Sequence, residues 1–308
     1  KTLRLRCKCP DLVLWKALSG SLVPGCMTKW VAKMAFVHAG DGALDYFPCH
    51  YGSSRLTFRG PRRDLSGEYL AMLGGTETYG RFVTAPFAAL VEEAIGIPVA
   101  NLGCQNAGPD VYLADRPALE VAGAAHLAVL QLTGVTNMTN RYYTVHPRRN
   151  DRFIAATPLL RSIYRDVDFT EIHFTRHLIQ ALATRGADRF ALIAAELKML
   201  WVDRMKAVLQ RLPRRAVLLW LADRPPPDKG QDDGLDTRPW LIDRQMIAAL
   251  RPHAAAVVEH VISRQARDEG VQSMRFSPAE EGAALGLPGA AVHHEVAQAL
   301  LPVIGRML

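Results

Sequence analysis

The sequence predicts a doubly wound α/β domain on a five-stranded parallel sheet, with a helical insertion. From residue 69 onward, short buried apolar runs alternate with longer amphipathic segments. This alternation is typical of a parallel sheet covered on both faces, because parallel neighbours need a crossover connection. The runs are four to seven residues long and partly β-branched, which favours strands over helices.

Each element follows from the same pattern. Strands are predicted at residues 69–73, 99–102, 127–132, 216–221 and 256–262. Helices are predicted at residues 86–95 and 110–121, through a mainly helical insertion at 153–212, and after Pro288. Residues 223–236 contain a proline run and turn residues, and we expect a surface loop there.

Composition limits the classes of function. The 308 residues are 49% hydrophobic and carry 37 basic against 30 acidic side chains, a net charge of +7 that favours anionic partners. Charge or proline interrupts even the most apolar stretches, so no membrane span is predicted. Nucleic acid is an unlikely partner, because aromatic residues are only 7% of the chain and no zinc-finger spacing or basic helix with heptads occurs.

The cysteines indicate a reducing compartment. An odd number of five in a long chain does not form a disulfide framework, and we therefore expect a cytoplasmic protein. Cys7 and Cys9 have no second pair at zinc-ligand spacing, so neither metal nor other cofactor is predicted. Residues 1–33 show no clear period and are predicted to be an unstructured or non-native extension of a single domain at 34–308.

Polar loops follow three consecutive predicted strands. Their sequences are GGTETYG at 74–80, NLGCQNAGPD at 101–110 and QLTGVTNMTN at 131–140. Because the carboxyl ends of parallel strands lie at one sheet edge, we expect these loops to line one pocket, where amides can stabilise an oxyanion. Thr76 is either a hydroxyl in a nucleophile position or a helix-capping residue.

A basic loop follows the third strand, at residues 140–152. It contains Asn140, Arg141, Arg148 and Arg149, and arginine forks suit carboxylate, phosphate or sulfate groups. The alternative is a solvated basic loop in which Arg149 or Arg152 pairs with Asp151.

Residues 169–185 form a helix-like stretch that places His173 and His177 on one face. The His-Glu-x-x-His signature of a zinc site is absent, so no metal is predicted there.

The three strand-end loops resemble the sequence blocks of the SGNH/GDSL hydrolases. Residues 74–80 are similar to the first block, 101–108 to the second, and 134–137 to the third. More narrowly, GGTETYGRFVTAPF, NLGCQNAGPD, HPRRNDRF and DFTEIHFTRHL resemble a bacterial family of SGNH-like proteins with a domain of unknown function, over residues 34–308. The resemblance implies the flavodoxin-like strand order 2-1-3-4-5 and an esterase or acyl-transfer enzyme acting on an anionic or saccharide small molecule.

Carried over by position, the resemblance makes Thr76 the nucleophile and Gly108 and Asn137 the oxyanion donors. The further substrate-binding candidates are Gly75, Thr78, Asn106, Asn140, Arg141, Arg148 and Arg149.

The chain also departs from the hydrolase pattern. Gly75 replaces an aspartate, Thr76 replaces the serine, and Leu287 stands where the catalytic histidine is usual. His293 and His294 are the remaining candidates for a base, without which a hydroxyl is a poor nucleophile. The alternative interpretation is therefore a non-catalytic protein that binds an anion or a glycan.

Overall fold

The computed structural model describes residues 44–228, 235 and 238–308. Five parallel strands form the main sheet in the order β2-β1-β3-β6-β7, and two antiparallel strands, β4 and β5, pair separately. This confirms the predicted fold class and strand order, whereas the expectation for residues 1–33 lies outside the described residues. The strands are β1 Leu70–Leu73, β2 Val99–Asn101, β3 Leu127–Gln131, β4 Tyr143–Val145, β5 Phe153–Ala156, β6 Ala216–Ala222 and β7 Ala256–Val261.

The three central strands of the main sheet are buried on both faces. Every residue of β1, β3 and β6 is buried, as expected for a parallel sheet between two helical layers. Along β1, Leu70 and Met72 join one hydrophobic core, whereas Ala71 and Leu73 join the other. This period of two divides the apolar side chains between the two sides of the sheet.

Eleven α-helices are present in the described residues, and none of them is long and apolar enough to cross a membrane. On one side, α2 and α11 pack together against the sheet, and the larger core on the other side includes α3, α4, α6, α7 and α8. The helices are α1 Thr76–Tyr79, α2 Phe87–Ile95, α3 Pro109–Ala114, α4 Arg116–Gly123, α5 Pro158–Ile163, α6 Thr175–Thr184, α7 Ala187–Leu209, α8 Arg244–Leu250, α9 Arg264–Glu269, α10 Glu281–Ala284 and α11 Ala290–Gly305.

Two predicted helices differ from the structure. The helix expected at 110–121 is divided at Asp115, whose carboxylate accepts a hydrogen bond from the Ala118 N–H at 3.0 Å and so caps α4. Pro117 lies in the first turn of α4, where its missing N–H costs no hydrogen bond. The insertion begins as a strand rather than a helix, because residues 153–156 pair with β4.

The stretch at 169–185 becomes helical only at Thr175. His173 therefore precedes α6 and does not share a helix face with His177. The backbone carbonyl of His173 instead accepts a hydrogen bond from the Phe153 N–H at 3.0 Å.

Buried Arg59 fixes the chain segment that follows α1. Its guanidinium donates hydrogen bonds to the backbone carbonyls of Gly80, Val83 and Thr84. These bonds satisfy carbonyls that would otherwise be buried without partners. The short helix that carries Thr76 is thereby held against the domain.

His293 connects α2 and α11, the two helices that pack together on one side of the sheet. Its Nδ1 accepts a hydrogen bond from the Phe87 N–H, the first of α2, at 3.0 Å, and the two rings stack with their centroids 5.6 Å apart. Complete burial lowers the pKa of His293 to about 3, and nearby Arg59 contributes in the same direction.

We expect His293 to make the stability of the domain depend on pH. The imidazole is held neutral in the folded chain, whereas an unfolded histidine has a pKa of 6.5, so protons favour the unfolded state. The stabilisation is complete above pH 6.5 and is lost as the pH falls toward 3. Between pH 7.5 and 5.5 the loss is about 1.4 kcal/mol.

His293→Asn keeps an acceptor near Nδ1 but cannot be protonated. Urea unfolding at the two pH values should therefore show a smaller loss of unfolding free energy for this variant than for the native chain. His294→Asn, which removes the exposed neighbouring ring, is the control. The same pH dependence in His293→Asn and the native chain would contradict the assignment.

Candidate functional site

The turn between β1 and α1 is fixed by Gln131, the last residue of β3. The buried Gln131 Oε1 accepts hydrogen bonds from the Gly75 N–H at 3.0 Å and from the Thr78 hydroxyl at 2.6 Å. Thr78 is fully buried and points into the domain. Its predicted role in substrate binding does not agree with this position, since the hydroxyl is used to hold the turn.

Tyr112 fixes the same turn from α3. Its hydroxyl accepts a hydrogen bond from the Gly74 N–H at 2.8 Å and lies 2.7 Å from the Gly74 carbonyl oxygen and 2.9 Å from that of Leu102. One phenol therefore connects the ends of β1 and β2. Burial raises the pKa of Tyr112 well above its usual value, so the hydroxyl stays protonated.

Both hydrogen bonds of the Thr76 hydroxyl connect it to Asn106. Thr76 Oγ1 donates to Asn106 Oδ1 at 3.2 Å and accepts from the Asn106 backbone N–H at 2.8 Å. Asn106 has a φ of 55°, a left-handed conformation that asparagine tolerates better than most residues. This left-handed backbone conformation directs the Asn106 N–H toward the Thr76 hydroxyl.

Gly108 does not occupy the donor position predicted for it. Its buried N–H donates to Asn150 Oδ1 at 3.3 Å and does not reach the Thr76 hydroxyl. The N–H that does so belongs to Asn106, two residues earlier. The sequence signal for Asn106 is its place in a tight turn between two glycines, where an asparagine favours a positive φ.

Asn137 connects the third loop to the second. Its Nδ2 donates to the Asn106 carbonyl oxygen at 2.8 Å, and its Oδ1 accepts from the Thr175 hydroxyl at 2.6 Å. The Asn106 side chain in turn donates to Asp151 Oδ2 at 3.1 Å. The three strand-end loops, the β4–β5 hairpin and the start of α6 therefore form one hydrogen-bonded network.

These segments enclose a cavity of about 520 Å³ at the carboxyl edge of the sheet. This volume is in the usual range for small-molecule sites. Gly75, Thr76, Asn106 and Asn137 all line the cavity, so the three loops meet as the strand order predicts. The remaining wall comes from α6, the hairpin and residues 238–240.

The cavity wall also contains charged side chains that the sequence did not assign to it. Arg176 and His177 come from α6, Arg238 precedes Trp240, and Glu77 follows Thr76. The Arg176 guanidinium lies over the Trp240 ring, 5.8 Å from its centroid. The sequence pattern of residues 169–185 pointed only to the question of a metal site. No pattern near Arg238 indicated that this segment returns to the sheet edge.

Apart from Asp151, the basic loop lies outside the cavity. Arg141 pairs with Glu196 of α7 at 3.1 Å, and Asn140 Oδ1 accepts hydrogen bonds from the N–H groups of Tyr142 and Tyr143. The predicted ligand-binding roles of Arg141 and Asn140 therefore do not agree with their contacts, since one pairs with a helix and the other closes a turn.

Arg148 and Arg149 lie in the exposed turn of the β4–β5 hairpin. Their backbone N–H groups donate to His146 Nδ1, at 3.3 and 3.2 Å, and neither side chain lines the cavity. Of this loop, Asp151 does line the cavity.

Neither predicted base reaches Thr76. His293 is buried against Phe87, and His294 is exposed on α11, so neither lines the cavity. Within the described part of the chain, His177 is the one histidine in the cavity wall, and no histidine is hydrogen-bonded to Thr76. The serine-hydrolase arrangement of a hydroxyl bonded to an imidazole is not formed.

Comparison with known proteins gives one family match. Residues 34–308 match the model of a domain of unknown function, DUF6473. The search of curated proteins found no match.

Two solved structures show distant likeness. An extracellular lipase from Streptomyces rimosus matches at 10% identity and a TM-score of 0.37, over 79% of this chain and 100% of that chain. A gut microbial diltiazem-metabolizing enzyme matches at 12% identity and a TM-score of 0.29, over 78% of this chain and 47% of that chain. Both likenesses are too distant to indicate an activity.

We expect the contact between the second and third loops to tolerate no side chain at Gly108. A Cβ atom there would overlap the backbone carbonyl of Asn137, which cannot move without separating the second and third loops. Gly108→Ala should lower the free energy of unfolding by about 1–3 kcal/mol, measured by urea unfolding. Gly67→Ala is the control, because nothing lies within 4 Å of a Cβ atom there. Equal stability of the two variants would show that the loops are not in tight contact.

Proposed function

We propose that this chain, which belongs to the DUF6473 family of domains of unknown function, binds a small anionic molecule in the cavity at the carboxyl edge of its sheet. The proposal starts from the cavity wall, where backbone-fixed loops meet two arginines. It assigns the chain a recognition site and gives no hydrolytic role to Thr76.

The observation that carries the proposal is the free charge of Arg176 and Arg238. Both side chains are exposed and line the cavity, and neither has a carboxylate within ion-pair distance in the described part of the chain. A guanidinium without a counterion binds carboxylate, phosphate or sulfate through paired hydrogen bonds. Two of them on one wall therefore favour an anion.

The neutral part of the wall fits a small polar molecule. Thr133 supplies a hydroxyl group, Asn137 keeps a second Nδ2 hydrogen beyond the one bonded to the Asn106 carbonyl, and Phe174 and Trp240 supply aromatic surface. A few placed polar groups among apolar ones are typical of ligand sites. The positive net charge of the chain attracts an anion over a longer range.

Hydrolysis at Thr76 receives less support. Its proton is donated to Asn106 Oδ1, and an amide oxygen is not a base that could remove it. The threonine methyl group also restricts the rotamer. The Asn106 N–H, which in a hydrolase could stabilise an oxyanion, is already bonded to the Thr76 oxygen.

We expect anions to stabilise the folded chain through the two arginines. Sulfate, phosphate and cyclohexanecarboxylate are suitable probes, and at ten times its Kd a probe should raise Tm by about 3–6 °C. Arg176→Ala and Arg238→Ala should each weaken binding about 10-fold or more, because each removes a charge-assisted hydrogen bond. Isothermal titration calorimetry measures both effects.

Arg148→Ala and Arg149→Ala are matched controls, because they remove the same charge from outside the cavity. They should leave the Kd nearly unchanged. Equal weakening by all four variants would show general attraction to a basic surface and would overturn the proposal. So would the absence of binding by every probe.

The rival function is tested with p-nitrophenyl acetate and butyrate. Without a base the hydrolysis rate should stay near that of buffer, since general-base catalysis alone is typically worth about 10²–10⁴-fold. Turnover at ordinary enzyme rates that Thr76→Ala abolishes would replace the binding role with an esterase.

A further inference from the structure

Glu77 occupies space that a side chain at residue 75 would need. A Cβ atom at Gly75 would lie 2.8 Å from Glu77 Oε2, closer than real Cβ atoms approach an oxygen. The glycine therefore leaves room for the Glu77 carboxylate to fold back over the turn. In this way a carboxylate enters the cavity wall beside Thr76.

Gln131 holds that carboxylate in one position. While its Oε1 accepts from Gly75 and Thr78, its Nε2 donates to Glu77 Oε2 at 3.0 Å. The buried amide is therefore fixed at both ends, and its Nε2 restricts the Glu77 side chain before any ligand arrives. Such preorganisation lowers the entropy cost of binding.

The other oxygen of Glu77 is free to accept hydrogen bonds. Within the described part of the chain no donor reaches Glu77 Oε1, whereas Oε2 is bonded to Gln131. An ionised carboxylate is an acceptor only, so it requires a partner that carries donors. The anionic group of a ligand cannot be that partner and belongs at the arginines.

Resting on the proposed anion site, we propose that Glu77 is a ligand-binding carboxylate, positioned by Gln131, that accepts hydrogen bonds from the hydroxyl groups of a polyhydroxylated anion. Such a molecule places its charged group at Arg176 and Arg238 and its hydroxyl groups at Glu77.

Hydroxyl donors suit the site better than an ammonium group. The two free guanidiniums share the cavity with Glu77, and they repel a cation as well as attract an anion. A hydroxyl donates to the carboxylate without adding charge. Asn137 and Thr133, in the same wall, can bond further hydroxyl groups.

Four six-membered-ring probes separate the parts of this proposal. D-Glucuronate carries a carboxylate and hydroxyl groups, cyclohexanecarboxylate only the carboxylate, D-glucose only the hydroxyl groups, and trans-4-aminocyclohexanecarboxylate a carboxylate and an ammonium group. Calorimetry on the full chain should show that D-glucuronate binds about 10-fold or more tightly than each of the other three.

Glu77→Gln should remove that advantage and leave the Kd for cyclohexanecarboxylate nearly unchanged. Glu171→Gln, which changes an exposed glutamate outside the cavity, is the matched control and should bind D-glucuronate like the native chain.

The exchange Glu77→Gln with Gln131→Glu separates binding from a structural role. It restores one carboxylate–amide pair with its direction reversed, so urea unfolding should show recovered stability. Affinity for D-glucuronate should remain weak, because the carboxylate has moved into the buried position. If the exchange restored affinity together with stability, Glu77 would be a structural residue and the proposal would fail.

Two further outcomes overturn the assignment of hydroxyl groups. One is that cyclohexanecarboxylate binds as tightly as D-glucuronate. That result would support the anion site and contradict only the proposed role of Glu77. The other is tightest binding by the amino acid, which would make Glu77 a cation site. If the native chain bound none of the four probes, that result would instead contradict the proposed anion site itself.

Discussion

The alignment of β1 between β2 and β3 is the constraint on which the cavity depends. Parallel pairing brings the carboxyl ends of these strands to one edge, and each end continues into a loop whose backbone must find new hydrogen bonds. Asn106 connects the loops to one another, because its N–H, carbonyl and amide reach Thr76, Asn137 and Asp151. A cavity wall assembled in this way is fixed before any ligand enters.

Much of the fold could be predicted from the sequence, because burial on both faces gives parallel strands an uninterrupted apolar pattern. The strand order followed from the resemblance of the strand-end loops to a known family, and the meeting of those loops at one cavity followed from the edge that neighbouring parallel strands share. Local departures depended on tertiary contacts that periodicity does not contain. Residues 153–156 became a strand because β4 was available as a partner, and α6 started late because residues 173–174 bond the hairpin.

Assigning individual side chains to the site succeeded only in part, for a physical reason. A sequence block shows which loop a residue occupies but not the direction of its side chain. Thr78 and Thr76 are two residues apart, yet Thr78 is fixed inside by Gln131 whereas Thr76 faces the cavity. The arginines of the basic loop were assigned by proximity in sequence, and the hairpin carries them outward. Arg176 and Arg238 arrive from distant segments, for which no local pattern exists.

Interior residues fix the backbone of one part of the cavity wall, whereas the charged groups of the wall come from other segments of the chain. The turn after β1 is held by two interior residues, Gln131 and Tyr112, and so does not depend on the rest of the cavity wall. His293 of α11 does not reach the cavity, since it caps α2 from within the core. Helix α6 and residues 238–240 contribute guanidiniums and one imidazole to the same wall. Guanidiniums cannot accept a proton from a hydroxyl, so Arg176 and Arg238 cannot serve as a base for Thr76 and are suited instead to pairing with an anionic group.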